Sequence, residues 1–192
     1  MSNEKGPRVT PIGPPYEPDL ETELNKWMPP GAPLEPLLLF RTLFRNRDLA
    51  NAMLPLGSLL LSKRAGITIR EREVVIDRVA ARCGCEYEWG VHAVAFGERA
   101  GLTGDQINAT VAGDAADAVW SAKDALLIRM VDELHDGSTI SDELWGLLAE
   151  EWSAPQLLVL LALAGWYHVI AYVANGARVP LEDWAQRFPA GE

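Results

Sequence analysis

Nine of the thirteen prolines lie within residues 1–36, in blocks such as PIGPPYEP and MPPGAPLEP. Each proline fixes φ and removes a backbone donor, so this stretch cannot serve as a helical core element. The sequence therefore predicts an extended proline-rich arm over residues 1–34, with one short helix at Leu20–Met28. Tyr16, Trp27 and Met28 give that arm apolar side chains with which to dock. Residues 35–192 form a single helical domain on this reading.

Caps and glycines divide this second part into helices. Leu37–Arg45 and Asp48–Ser62 are apolar at helical spacing, with Pro55 as a kink in the second. Thr68 and Glu71 make a T-x-x-E capping box opening a helix to about Arg82. Cys85–Ala100 follows, closed by Gly101, and Thr103 with Gln106 caps a short helix to Val111. Ala116–His135 reads as a long amphipathic helix ending before Gly137. Ser141 opens Asp142–Trp152, and Ser153 with Gln156 caps an apolar helix to about Asn175, closed by Gly176. Strand-like alternation is absent, so the expected fold class is all-α.

The formal net charge of −10, with no run of Lys and Arg, speaks against nucleic-acid binding. Leu157–Ala174 approaches spanning length, but Gly165, Trp166, Tyr167 and His168 interrupt it and no basic flank follows. We expect a buried helix at an oligomer core and no membrane association. The first fifteen residues contain no apolar segment of the kind that a secretory signal needs. Two cysteines, Cys83 and Cys85, are too few and too close for a disulfide framework. Both features point to a cytoplasmic protein.

Chemistry needs titratable groups held where a core should be apolar, and residues 73–92 supply them. On a helix, Cys85, Glu88 and His92 fall at i, i+3 and i+7 on one face, continued by Ala95 and Phe96. Glu73 lies on a stripe of the preceding helix with Ile76 and Ala80. A joint at Arg82–Gly84 lets the two helices fold back, so that Glu73 approaches His92. A carboxylate beside an imidazole orients the ring and raises its basicity, while desolvation acts in the opposite sense on each partner. Such a pair suits general acid–base work near neutral pH, and a protonated His92 would favour a Cys85 thiolate.

Simpler roles exist for several of these residues. Glu88 and His92 also suit a surface salt bridge, and Cys85 a small buried hydrophobe. Glu71 serves the capping box; Arg70 and Arg72 suit a solvated face, or in one case an anionic substrate. Tyr87 and Trp89 suit core or interface packing. No metal site is expected here, because carboxylate-bridged bundles pair Glu-x-x-His motifs at i,i+3, and this chain has a single i,i+4 pair. His135 sits where a cation complements a helix C-terminus, and His168 reads as a satisfied core histidine.

The stretch Arg70–Leu102 resembles the signature of the carboxymuconolactone decarboxylase family, which includes alkylhydroperoxidase D. The matching residues are Arg70-Glu71-Arg72-Glu73, then Cys85-Glu86-Tyr87-Glu88-Trp89 with His92, then Ala100-Gly101-Leu102. The close match covers about thirty residues, extends loosely to Ala174 and leaves the proline-rich arm unmatched. The resemblance implies a helical bundle that assembles as dimers, trimers or hexamers. In the peroxidase branch, it places the working glutamate on Glu73, the first cysteine on Cys85 and the histidine on His92. The second cysteine position holds Glu88. Cys83 could resolve Cys85 only if residues 82–85 are not helical.

The decarboxylase branch lacks the dithiol and is closer at Glu88 and His92. It implies cofactor-free loss of CO₂ from a carboxylated unsaturated lactone, with His92 as acid–base group and Glu73 and Glu88 as partners. Arg72 would hold a carboxylate, and Tyr87, Trp89 and Phe96 would line the substrate. Three readings follow: an acid–base enzyme on a small lactone or carboxylate, a thiol peroxidase using Cys85, and a binding protein without catalysis.

Overall fold

The computed structural model describes residues 6–29 and 34–190, and every regular element among them is helical. The helices are α1 (Pro18–Asn25), α2 (Leu38–Leu43), α3 (Arg47–Leu60), α4 (Ile69–Arg82), α5 (Glu86–Phe96), α6 (Gly104–Ala112), α7 (Ala122–Gly137), α8 (Asp142–Glu151) and α9 (Ala154–Ala177). Thus the all-α expectation holds.

Helix α4 is the axis of the bundle and packs against α5, α6, α7 and α9. Its start is fixed as expected: Thr68 Oγ1 accepts from the Glu71 amide at 3.1 Å, and Glu71 Oε2 accepts from the Thr68 amide at 2.7 Å. Glu73 through Ala80 are then buried without interruption, so this helix has no solvated face along its middle. The charged members of that run need internal partners. Arg78 finds them in a fork onto Asp132 at 2.8 Å and in the carbonyls of Thr110 and Gly113.

Helix α9 is long and apolar enough to cross a membrane by length and composition alone, but half of its apolar window is buried inside the bundle. Leu160, Leu163 and Ala171 on its inner face join Val75, Ile76 and Val79 of α4 in the core. Helix α3 runs through Pro55 to Leu60.

Several boundaries differ from expectation: α1 spans Pro18–Asn25 and not Leu20–Met28, α5 spans Glu86–Phe96 and not Cys85–Ala100, and the largest difference is in α7. Helix α7 begins at Ala122, not Ala116, because the preceding residues close their own turns. Asp114 accepts from the Ala116 amide at 2.7 Å, and Asp117 accepts from the Asp114 amide at 3.0 Å. Side-chain bonds of this kind compete with helix formation, and Ser121 supplies the real cap.

The N-terminal segment is pinned to the bundle. The amides of Arg8 and Val9 donate to the Ala177 carbonyl, and Arg41 Nε donates to the Ile12 carbonyl at 2.6 Å. Leu24 of α1 is fully buried, and Trp27 packs on Phe40 with ring centroids 4.9 Å apart. At the other end, residues 181–188 cross α5 at Gly90, where a Cβ would stand 2.0 Å from the Gln186 carbonyl oxygen. Only glycine admits that approach.

Candidate active site

The α4–α5 hairpin brings the expected residues together. Gly84 takes a left-handed conformation (φ +58°), and the Cys85 amide returns to the Ala80 carbonyl at 2.8 Å. Cys85 is consequently the cap before α5 and not a residue of its first turn. The chain reverses, and Glu73 reaches His92 from the facing helix.

His92 Nδ1 lies 2.7 Å from Glu73 Oε2. Its Nε2 lies 3.1 Å from the Tyr167 hydroxyl and 3.6 Å from Glu88 Oε2. The other Glu73 oxygen accepts from Arg72 Nε at 2.6 Å, and Arg72 Nη1 donates to the Leu61 carbonyl. The Arg72 guanidinium also stacks over Phe96, 5.3 Å from its centroid. Glu73, Glu88, His92 and Tyr167 are all buried.

These contacts set the proton affinities. Burial disfavours the imidazolium of His92, but the charge and hydrogen bond of Glu73, with Glu88 and Asp77, outweigh it and hold the pKa above its ordinary value. Burial pushes Glu88 up to about 6, with the positive ring of His92 restraining the rise and Glu73 adding to it. Burial keeps the Tyr167 phenol protonated far above its usual range. In the neutral state, therefore, His92 Nδ1–H donates to Glu73 while Nε2 accepts from Tyr167 O–H.

Beside this group lies a cavity of about 500 Å³. His92, Glu88, Tyr167 and Arg72 line it together with Trp27, Phe40, Phe96, Trp166, Ile170 and Trp184. Its walls are mainly hydrocarbon and aromatic, with the His92 group and Lys26, Ser58 and Ser62 as polar members, as small-molecule sites commonly are.

Three expected site residues take other places. Cys85 is fully buried and does not line the cavity, and burial, reinforced by the Glu88 charge, pushes its thiol up to about 12. The expected thiolate is thus disfavoured: the carboxylates near His92 repel a second anion. Tyr87 donates to Glu182 at 2.6 Å and accepts from the Leu39 amide, which makes it a clasp for α2 and the C-terminal segment. Trp89 is fully buried, donates to Thr110 Oγ1 at 2.8 Å and packs on Phe188. Both are packing residues, whereas Phe96 and Arg72 do line the cavity.

Two neighbours escaped the sequence reading. Tyr167 comes from α9, 75 positions beyond His92, and no local pattern marks it. Asp77 does carry a signal: it stands four residues after Glu73 within Val74-Val75-Ile76 and Val79, where an acid is out of place. It is fully buried, and neither carboxylate oxygen has a hydrogen-bond partner among the described residues. Burial and the Glu73 charge raise its pKa well above the ordinary carboxylate value.

Fold and site together define a helical-bundle protein of the alkylhydroperoxidase D-like type, with its titratable residues on a central hairpin. Residues 47–130 match the model of the carboxymuconolactone decarboxylase family, which supports the resemblance read from Arg70–Leu102. Among solved structures, it is similar to a cysteine-to-alanine variant of the debrominase Bmp8 in complex with 2,3,4-tribromopyrrole. That similarity has a TM-score of 0.70 over 92% of each chain at 14% sequence identity, and concerns the fold. No curated protein matches the sequence.

Proposed function

We propose that this protein is an enzyme that moves a proton on a small, largely apolar substrate, and that its reaction is of the carbon–carbon lyase, decarboxylating type. The observation that carries the reading is the Glu73–His92–Tyr167 chain, 2.7 and 3.1 Å between successive partners, with His92, Tyr167 and Glu88 on the cavity wall and Glu73 behind them. A carboxylate behind the ring and a phenol in front make His92 a donor and acceptor of fixed orientation.

In this reaction the bond from carbon to the substrate carboxylate breaks and CO₂ leaves. Its electron pair passes into the unsaturated lactone, forming an enolate. A proton from protonated His92, delivered directly or through Tyr167, then closes the carbon, so one proton is consumed for each CO₂ released. Arg72, which lines the cavity but is already paired with Glu73, offers its remaining N–H donors to the carboxylate before it departs. The apolar walls favour the uncharged product over the charged substrate, which aids loss of the carboxylate.

Substrate loss followed by mass spectrometry tests this over a panel of carboxylated unsaturated lactones, organic peroxides and a bromopyrrole. CO₂ release from a lactone acid, abolished in His92→Gln, is the expected result. Consumption of peroxide alone, abolished in Cys85→Ser, would establish the thiol route. Binding without turnover of any compound would make the protein a small-molecule carrier.

The same reading takes the protein to be cytoplasmic and to work as a homo-oligomer. Leu158, Val169 and Tyr172, exposed along the outer face of α9, support association with a second copy. Sedimentation checks this, since a monomer at micromolar concentration would contradict it.

A further inference from the structure

On a different side of the hairpin joint, three helices bring together Cys83, His135 and His168. The Cys83 thiol and one nitrogen from each imidazole lie within 4.8 Å of one another, and all three side chains are half-buried. None of them lines the cavity. Cys83 caps the C-terminus of α4, His135 is in the last turn of α7, and His168 is in the second half of α9. We propose that these residues form a zinc-class metal site with three protein ligands and one open position.

Donor identity is the first argument. One thiolate and two imidazoles are borderline-soft ligands, suited to Zn²⁺ and unsuited to Mg²⁺ or Ca²⁺. Geometry is the second. His135 Nδ1 and His168 Nε2 stand 3.1 Å apart. Two nitrogens at about 2.0–2.1 Å from one tetrahedral zinc are separated by roughly 3.3–3.4 Å. A shift of a few tenths of an ångström therefore turns the imidazole pair into two ligands.

Orientation is the third. His168 Nδ1 lies 2.8 Å from the Ala164 carbonyl oxygen, which obliges that nitrogen to carry the proton. Its Nε2 lone pair is thereby aimed at His135, in the arrangement by which a backbone carbonyl prepares a metal-binding histidine. Cys83 is held from behind as well, since Asn175 of α9 donates to its carbonyl at 2.9 Å.

Electrostatics is the fourth. The C-terminal ends of α4 and α7 both meet the cluster, and the negative ends of their dipoles favour a cation. Arg82 is the opposing charge nearby, but its guanidinium is paired with Asp132 and Asp136. On binding, the thiol proton passes to solvent, the Nδ1 proton of His135 moves through solvent to its Nε2, and the hydrogen bond between the imidazoles gives way to two metal–nitrogen bonds. No electron changes hands.

The test is titration of the full chain, freed of metal with chelator, with Zn²⁺ in competition with a chromophoric chelator. Co²⁺ is then used as a spectroscopic probe of thiolate ligation. We expect one Zn²⁺ per chain and a thiolate-to-cobalt charge-transfer band. Cys83→Ser should abolish the band. Cys83→Ser and His168→Gln should each weaken Zn²⁺ at least as much as loss of a ligand-orienting partner does, up to about 100-fold. Cys85→Ser should leave stoichiometry and band unchanged, and helical circular dichroism confirms that each variant is folded. Absence of stoichiometric binding would overturn the proposal, leaving an ordinary hydrogen-bonded imidazole pair. Equal affinity in the Cys83→Ser/His168→Gln double variant would overturn it too, by placing the metal elsewhere. The readout is binding, so it is independent of any enzymatic activity assigned to His92.

Discussion

His92 and His135 sit at opposite ends of one environmental scale. His92 is buried among Glu73, Glu88 and Asp77, and these acids raise its proton affinity although burial alone would lower it. His135 is half-exposed beside Arg82 and His168; burial, with the Arg82 charge and the neighbouring imidazole, lowers its proton affinity despite Asp136 and Asp132. The same side chain is thus prepared for proton transfer in one region and kept uncharged in the other. What assigns the role is the sign of the neighbours and not depth alone.

Removal of the ring gives the largest contrast. His92→Gln should lower turnover about 10²–10⁴-fold, the usual worth of a positioned acid–base group. His168→Gln should leave turnover within about twofold, because sites without shared partners act independently. A smaller effect is expected from Glu73→Gln, which keeps the hydrogen bond to His92 but removes its counter-charge. Turnover should fall about 10–100-fold, and the imidazole resonance of His92 should titrate at lower pH than in the wild type. An unchanged titration would mean that Glu73 does not set the basicity of His92.

Asp77 tests the buried end of the comparison through stability. Its pKa is raised by folding, so its contribution is full below the unfolded value and is lost as pH climbs toward the folded one. Asp77→Asn cannot titrate. Urea unfolding at about pH 5 and about pH 8 should therefore show the variant gaining on the wild type as the pH rises. Parallel pH curves would show that Asp77 does not titrate as described. The smallest effect is on the shape of the rate profile. Glu88, pushed up to about 6, contributes a limb there, and Glu88→Gln should flatten it while reducing the plateau only modestly. Retention of the full limb would assign it to His92.

Elements whose determining contacts are local are legible in the sequence. Thr68–Glu71, Thr103–Gln106 and Ser153–Gln156 are bonds between a side chain and a backbone three residues away, and each capping box stands where its spacing placed it. The reversal after Arg82 was equally legible, since Gly84 takes the left-handed turn that the joint requires. Because helix spacing and this turn suffice to face Glu73 toward His92, that contact too could be anticipated. Tyr167, His135 and His168 depend on how α7 and α9 settle against α4, which no spacing encodes. Cys85, Tyr87 and Trp89 were misplaced for a related reason. A helix face can be read from sequence, but whether it meets a cavity or a neighbouring helix depends on tertiary packing. Gly90, through which the C-terminal segment packs on α5, illustrates how distant chain decides that outcome.

The central claim, that chemistry runs through the imidazole and not the thiol, is most directly tested by turnover of Cys85→Ser on whichever substrate the wild type consumes. Buried and neutral, Cys85 should be dispensable, and the variant should keep most of the wild-type rate while His92→Gln loses it. A dead Cys85→Ser alongside an active His92→Gln would contradict the account.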